Sequence, residues 1–184
     1  KGTIFNCHVL AHEAGRISYR ILKDDAIRYS IFWCHSGYIH GSIAAFIEEK
    51  GDKHLLRDLD TVCNISKSSF GKLGCYHASG HGLVAYYDND LPKALEACSR
   101  YDTRFKKSNC YVGAFMENIG TYFGDSLSGH ETKWLNTSNP YFPCDSISQD
   151  PLIQGDCYAI QPWWVHYLVG KGTKSMEKVV NFCI

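Results

Sequence analysis

Three segments of the chain end in cysteine and carry apolar residues seven and four positions before it. These are Leu56 and Leu59 before Cys63, Leu91 and Ala94 before Cys98, and Met176 and Val179 before Cys183. Spacings of three, four and seven residues mark one stripe of an amphipathic α-helix, whereas a strand would alternate. A second kind of segment begins with cysteine: "CHVLAHEAGRISY" at 7, "CHSGYIHGSIAAFIEE" at 34, "CYHASGHGLVAYY" at 75, "CYVGAFMENIGTYF" at 110 and "CYAIQPWWVHYLVG" at 157. Polar turns lie between the two kinds, "EKGDK" at 49–53 and "DND" at 88–90. There Gly51 and Asn89 can end one helix, and an aspartate can cap the next.

The pattern predicts an all-α fold of antiparallel α/α hairpin repeats, stapled by disulfides into one compact array that forms a single domain over 1–184. The hairpins fall at about 7–33, 34–63, 75–98, 110–144 and 157–183. From 124 to 155 the chain is rich in Ser, Asn, Gly and Pro. It reads as a long irregular loop, with His130, Trp134 and Tyr141 placed to lie over the array.

Nine cysteines without a C-x-x-C pair are too many for an ordinary cytosolic enzyme, so an oxidising compartment is expected, extracellular or periplasmic. The chain opens at "KGTIFNC" with no signal-like segment and so reads as a mature or trimmed product. Pairing within hairpins (34 with 63, 75 with 98, 110 with 144, 157 with 183) consumes eight cysteines, leaves Cys7 over, and is preferred. Bridges across the connecting loops, such as Cys63–Cys75 or Cys98–Cys110, bring atoms together at the same end, and spacing alone does not separate the alternatives.

The stretch "DNDLPKALEACSRYDTRFKKSNCYVGAFMENIG", over about 88–120, resembles the cysteine-bearing Sel1-like repeats of secreted helical proteins. In these an A-L…A-C helix end leads into a C-x-x-G that opens the next helix. The resemblance implies stacked α/α hairpins used as interaction surfaces, and it carries no catalytic residues onto this chain.

Composition narrows the function. At 45% apolar and 14% aromatic the chain can bury a core. Nineteen basic and nineteen acidic residues cancel, with no long basic run, so no nucleic-acid footprint is visible. No run of about 18 apolar residues is present to span a membrane.

Histidine is the remaining signal. Six of nine histidines (8, 12, 35, 40, 77 and 81) fall near the start of cysteine-headed segments. Residues four apart on a helix point the same way, so His8 with His12, and His77 with His81, can each hold one divalent cation or one proton-relay pair. His40 and His81 both stand six residues after the opening cysteine, and both precede a glycine.

If these helices lie side by side, His12, His40, His77 and His81 converge as ligands for zinc, copper or iron. His8 and His35 are additional candidates, and Glu13 or Glu117 would act as a general base or as a partner to a ligand. Glycines 37, 41, 80 and 82 would let the backbones approach. The competing reading is a scaffold that binds a protein, peptide or glycan, with histidines that only pack. In "QPWWVHY", Trp163 or Trp164 could face such a ligand or be buried core.

Overall fold

The computed structural model describes residues 7–30, 34–51, 55–66, 69–122, 132–170, 177 and 179–181. Among them no strand occurs. The elements are α1 (Cys7–Leu22), α2 (Asp24–Arg28), α3 (Gly37–Lys50), α4 (Leu55–Asn64), α5 (Ser69–Tyr86), α6 (Leu91–Ser99), α7 (Arg104–Tyr122) and α8 (Pro151–Val169).

Local chemistry sets several of these ends. Asp90 and Asp150 cap α6 and α8 by accepting from the backbone N–H of Lys93 and Leu152, and a proline stands in the first turn of each helix. Gly51 and Gly170 stop α3 and α8 at positive φ, 65° and 78°, which glycine adopts freely. Asp88 and Asn89 also have positive φ and turn the chain after α5.

The long helices lie in one row, α1 against α3, α3 against α5, α5 against α7, and α7 against α8. Contacts advance together along both partners. Gly37 meets the His8 carbonyl and Gly41 that of His12, while Tyr19 packs on Phe46; similarly His77 meets Gly113, and His81 meets Glu117. Helices α1, α3, α5 and α7 therefore run parallel. Position in the row dictates composition: α3 is buried continuously from Ile39 to Ile47 and α5 from Ala78 to Val84, as expected for helices covered on both sides. The short helix α4 lies against α2 and α5, and α6 lies between α5 and α7, with Leu59, Leu91 and Ala94 inaccessible.

The row is unusually tight at its centre. A Cβ on Gly80 would run into the Cys110 carbonyl on α7, and one on Gly113 into the His77 carbonyl on α5, so only glycine permits this approach. Gly41 stands in the same relation to His12. Of the four glycines expected to bring backbones together, Gly37, Gly41 and Gly80 face backbone, whereas Gly82 faces the Ile47 side chain.

The bridges are Cys7–Cys34, Cys63–Cys75, Cys98–Cys110 and Cys144–Cys157, with Cα–Cα distances of 5.4–5.6 Å. This corrects the preferred pairing within hairpins and gives Cys7 a partner; Cys183 lies outside the described residues. The reason is helix length. Cys75, Cys110 and Cys157 do not head their helices: α5, α7 and α8 begin at Ser69, Arg104 and Pro151, six residues earlier in each case. That overshoot lets Cys75 and Cys110 meet the cysteines that end α4 and α6, and Cys157 meet Cys144 in the irregular segment before α8.

The chain from 132 to 150 is irregular, and α8 already begins within the expected loop. The segment is fastened rather than loose. Buried Gln161 donates to the carbonyls of Pro140 and Phe142, and buried Asn118 to that of Trp134, while Trp134 stacks on Phe142. His130 lies outside the described residues. Of the tyrosines that follow cysteines, Tyr76 and Tyr111 are buried, and Tyr76 donates to Asp60 at 2.8 Å; Tyr158 is exposed.

Candidate metal centre

Parallel packing brings histidines from α1, α3 and α5 into one cluster. His8, His12 and His40 form one group with ligating atoms within 4.8 Å of one another, and His40, His77 and His81 form another. The His40 ring lies between the two pairs, with centroids 5.4 and 5.3 Å from His8 and His12, and 5.6 and 4.3 Å from His77 and His81.

Hydrogen bonding fixes which nitrogen each outer ring turns inward. His8 Nδ1 is 2.9 Å from the Cys34 carbonyl, which can only accept, so Nδ1 carries the proton and Nε2 presents a lone pair. His81 Nδ1 is 2.8 Å from Glu117 Oε2, and a neutral ring that donates to this carboxyl oxygen leaves its Nε2 lone pair facing inward. Each inward Nε2 meets the Nε2 of its i±4 neighbour, His12 at 3.0 Å and His77 at 3.1 Å. Two ring nitrogens come this close only with a proton or a cation between them. Tetrahedral ligands at about 2.0–2.1 Å from zinc stand roughly 3.3 Å apart, close to both separations.

His40 differs from these four. It is 3% exposed, and neither ring nitrogen has a hydrogen-bond partner among the described residues; the same holds for Nδ1 of His12. Each unsatisfied buried polar atom costs about 1–3 kcal/mol, so a cluster holding three of them is expensive as pure packing.

Burial keeps His12, His40, His77 and His81 uncharged. Desolvation lowers His12 to about 3, helped by the charges of His8 and Arg16, and lowers His77 to about 4. It holds His40 and His81 well below the usual histidine range, with neighbouring imidazoles adding to the effect. The His81–Glu117 contact is accordingly a hydrogen bond from a neutral ring, not an ion pair. Neutral rings have a lone pair ready for a metal at pH 7.

A cavity of about 490 Å³ opens beside the cluster. His8, His40, His77, His81 and Glu117 form one side of it, and Met116, Gly120 and Trp163 are among the rest. His35 is exposed at its edge, outside both three-histidine groups. Glu13 is exposed on α1 and does not line the cavity, so the structure does not bring it to the histidines. The two tryptophans divide: Trp164 is fully buried, and Trp163 faces the cavity. Met116 and Gly120 were not singled out from sequence; they lie three and seven positions after Gly113, a helical spacing that could have found them.

Backbone strain accompanies the site. Cys34, His35 and Ser36 all have positive φ, of 54°, 53° and 64°, although none is glycine. A non-glycine residue there costs about 1–2 kcal/mol, and this run delivers the Cys34 carbonyl to His8. The Cys7–Cys34 bridge holds the same spot.

Fold and site together define a disulfide-rich, all-helical protein with histidine clusters that could hold a metal ion. No family model, curated protein or solved structure matches this chain.

Proposed function

We propose that the protein is a metal-binding, and where its cavity admits a substrate catalytic, helical domain of an oxidising compartment, extracellular or periplasmic. The observation that carries this reading is His40: a buried imidazole with two unpartnered nitrogens, surrounded by four more imidazoles whose ring nitrogens lie close together. Zinc, copper and iron suit such nitrogen donors. When bound, the ion would act as a Lewis acid or a redox centre beside the cavity.

The protein's own groups have separable tasks in this reading. His8 and His12 with His40, and His77 and His81 with His40, would hold metal. Glu117 orients His81 and raises its basicity, and is a positioning residue before it is a base. Four disulfides support the compartment, since such bridges persist where the surroundings are oxidising.

Metal analysis of protein purified without a histidine tag tests the proposal. At least one zinc, copper or iron ion per chain is expected, and His81→Ala should bind less metal than the unmodified protein while keeping the helical circular-dichroism signal. Native protein that carries no metal and takes up none of the three would leave the histidines as packing groups and favour the interaction scaffold.

A further inference from the structure

We infer that the five imidazoles make two ion positions rather than one, joined by His40, whose ring bridges them as an imidazolate. This rests on the metal-centre reading above. Five imidazoles exceed the four ligands of a tetrahedral ion, and they are not arranged around a single point. They form two chelating pairs, one each from α1 and α5, with nearly equal nitrogen separations of 3.0 and 3.1 Å. The middle helix α3 contributes one residue to both pairs, and each pair with His40 is a complete three-histidine set.

Bridging answers the oddity of His40 directly. A neutral imidazole has one N–H and one lone pair, and here neither is satisfied. An ion on each side gives each nitrogen a partner. The ring must then release its single N–H proton, which leaves to solvent through the cavity that His40 lines. The resulting negative charge, with the buried Glu117 carboxylate, offsets part of the charge of two divalent cations. With three protein ligands apiece, both ions keep an open position, and histidines of both pairs line the cavity. The site therefore suits a small anionic or water-derived ligand placed by two ions of the zinc or copper class.

Full-length, untagged protein stripped of metal and titrated with Zn(II) should bind two equivalents tightly. His12→Ala and His77→Ala should each bind one, and His40→Ala should lose tight binding of both, with circular dichroism reporting the fold. One equivalent in the unmodified protein overturns the two-ion inference and leaves the metal centre standing; none overturns both. Cu(II) loading of the unmodified protein needs no variant to fold: a bridge couples the two spins, so the integrated paramagnetic resonance signal at two equivalents should fall below that at one. Two independent, additive copper signals would overturn the bridge.

Discussion

The Nδ1 of His81 donates to Oε2 of Glu117 at 2.8 Å across the α5–α7 interface, with both side chains buried. That bond fixes the ring so that Nε2 faces His77. Glu117→Gln keeps an acceptor but removes the negative charge, and should weaken Zn(II) affinity about 10- to 100-fold with little loss of helix. Competition with a chromophoric chelator would measure it, and unchanged affinity would show that the carboxylate does not tune the site.

Gly80 and Gly155 make a matched pair of substitutions. Gly80→Ala drives a methyl into the Cys110 carbonyl and should destabilise by at least about 1–3 kcal/mol, loosening α5 from α7. Gly155 lies in α8 with nothing within 4 Å of an added Cβ, so Gly155→Ala should stabilise by about 0.5–1 kcal/mol. Denaturant midpoints of the two variants should move in opposite directions.

Metal-free protein should lose stability as the pH falls. His12 and His77 titrate at about 3 and about 4 in the folded chain, against 6.5 for the free side chain. Between these values the unfolded state binds protons that the folded state refuses, so unfolding takes up protons and acid favours it. Below pH 6.5 each such histidine should contribute a slope of about 1.4 kcal/mol per pH unit, continuing to about pH 4 for His77 and about pH 3 for His12. Urea melts between pH 7 and pH 4 would show it, and a flat profile would mean that the rings protonate without unfolding.

Removing the Cys7–Cys34 bridge by a double change to serine should affect the histidine groups unequally. Cys7 precedes His8, and the Cys34 carbonyl accepts from His8 Nδ1. Affinity in the group of His8, His12 and His40 should drop more than in that of His40, His77 and His81, read as one weakened step in a stepwise Zn(II) titration.

Much of the site was legible because helical period alone brings His8 and His12, or His77 and His81, onto one face. The shared offset of His40 and His81 from their cysteines likewise identified α3 as a contributor. The helix starts were not legible. "SFGKLG" and "RFKKSN" precede Cys75 and Cys110 without an inward apolar stripe: Phe70, Leu73 and Phe105 are all exposed, so nothing in their pattern signals helix. The Cys63–Cys75 and Cys98–Cys110 pairings were not legible for the same reason, since α5 and α7 begin six residues before their cysteines. Glu13 was adjacent in sequence to a true cluster member, His12, but one step along a helix turns a side chain by about 100° and carried it to solvent.

The order of the cross-links has its own consequence. Cys7–Cys34, Cys63–Cys75, Cys98–Cys110 and Cys144–Cys157 each join a cysteine to the next one along the chain, and no bridge encloses another. In oxidising surroundings a chain exposed from its N-terminal side can therefore close each of these four bonds as soon as its second thiol is accessible, before the next pair is complete.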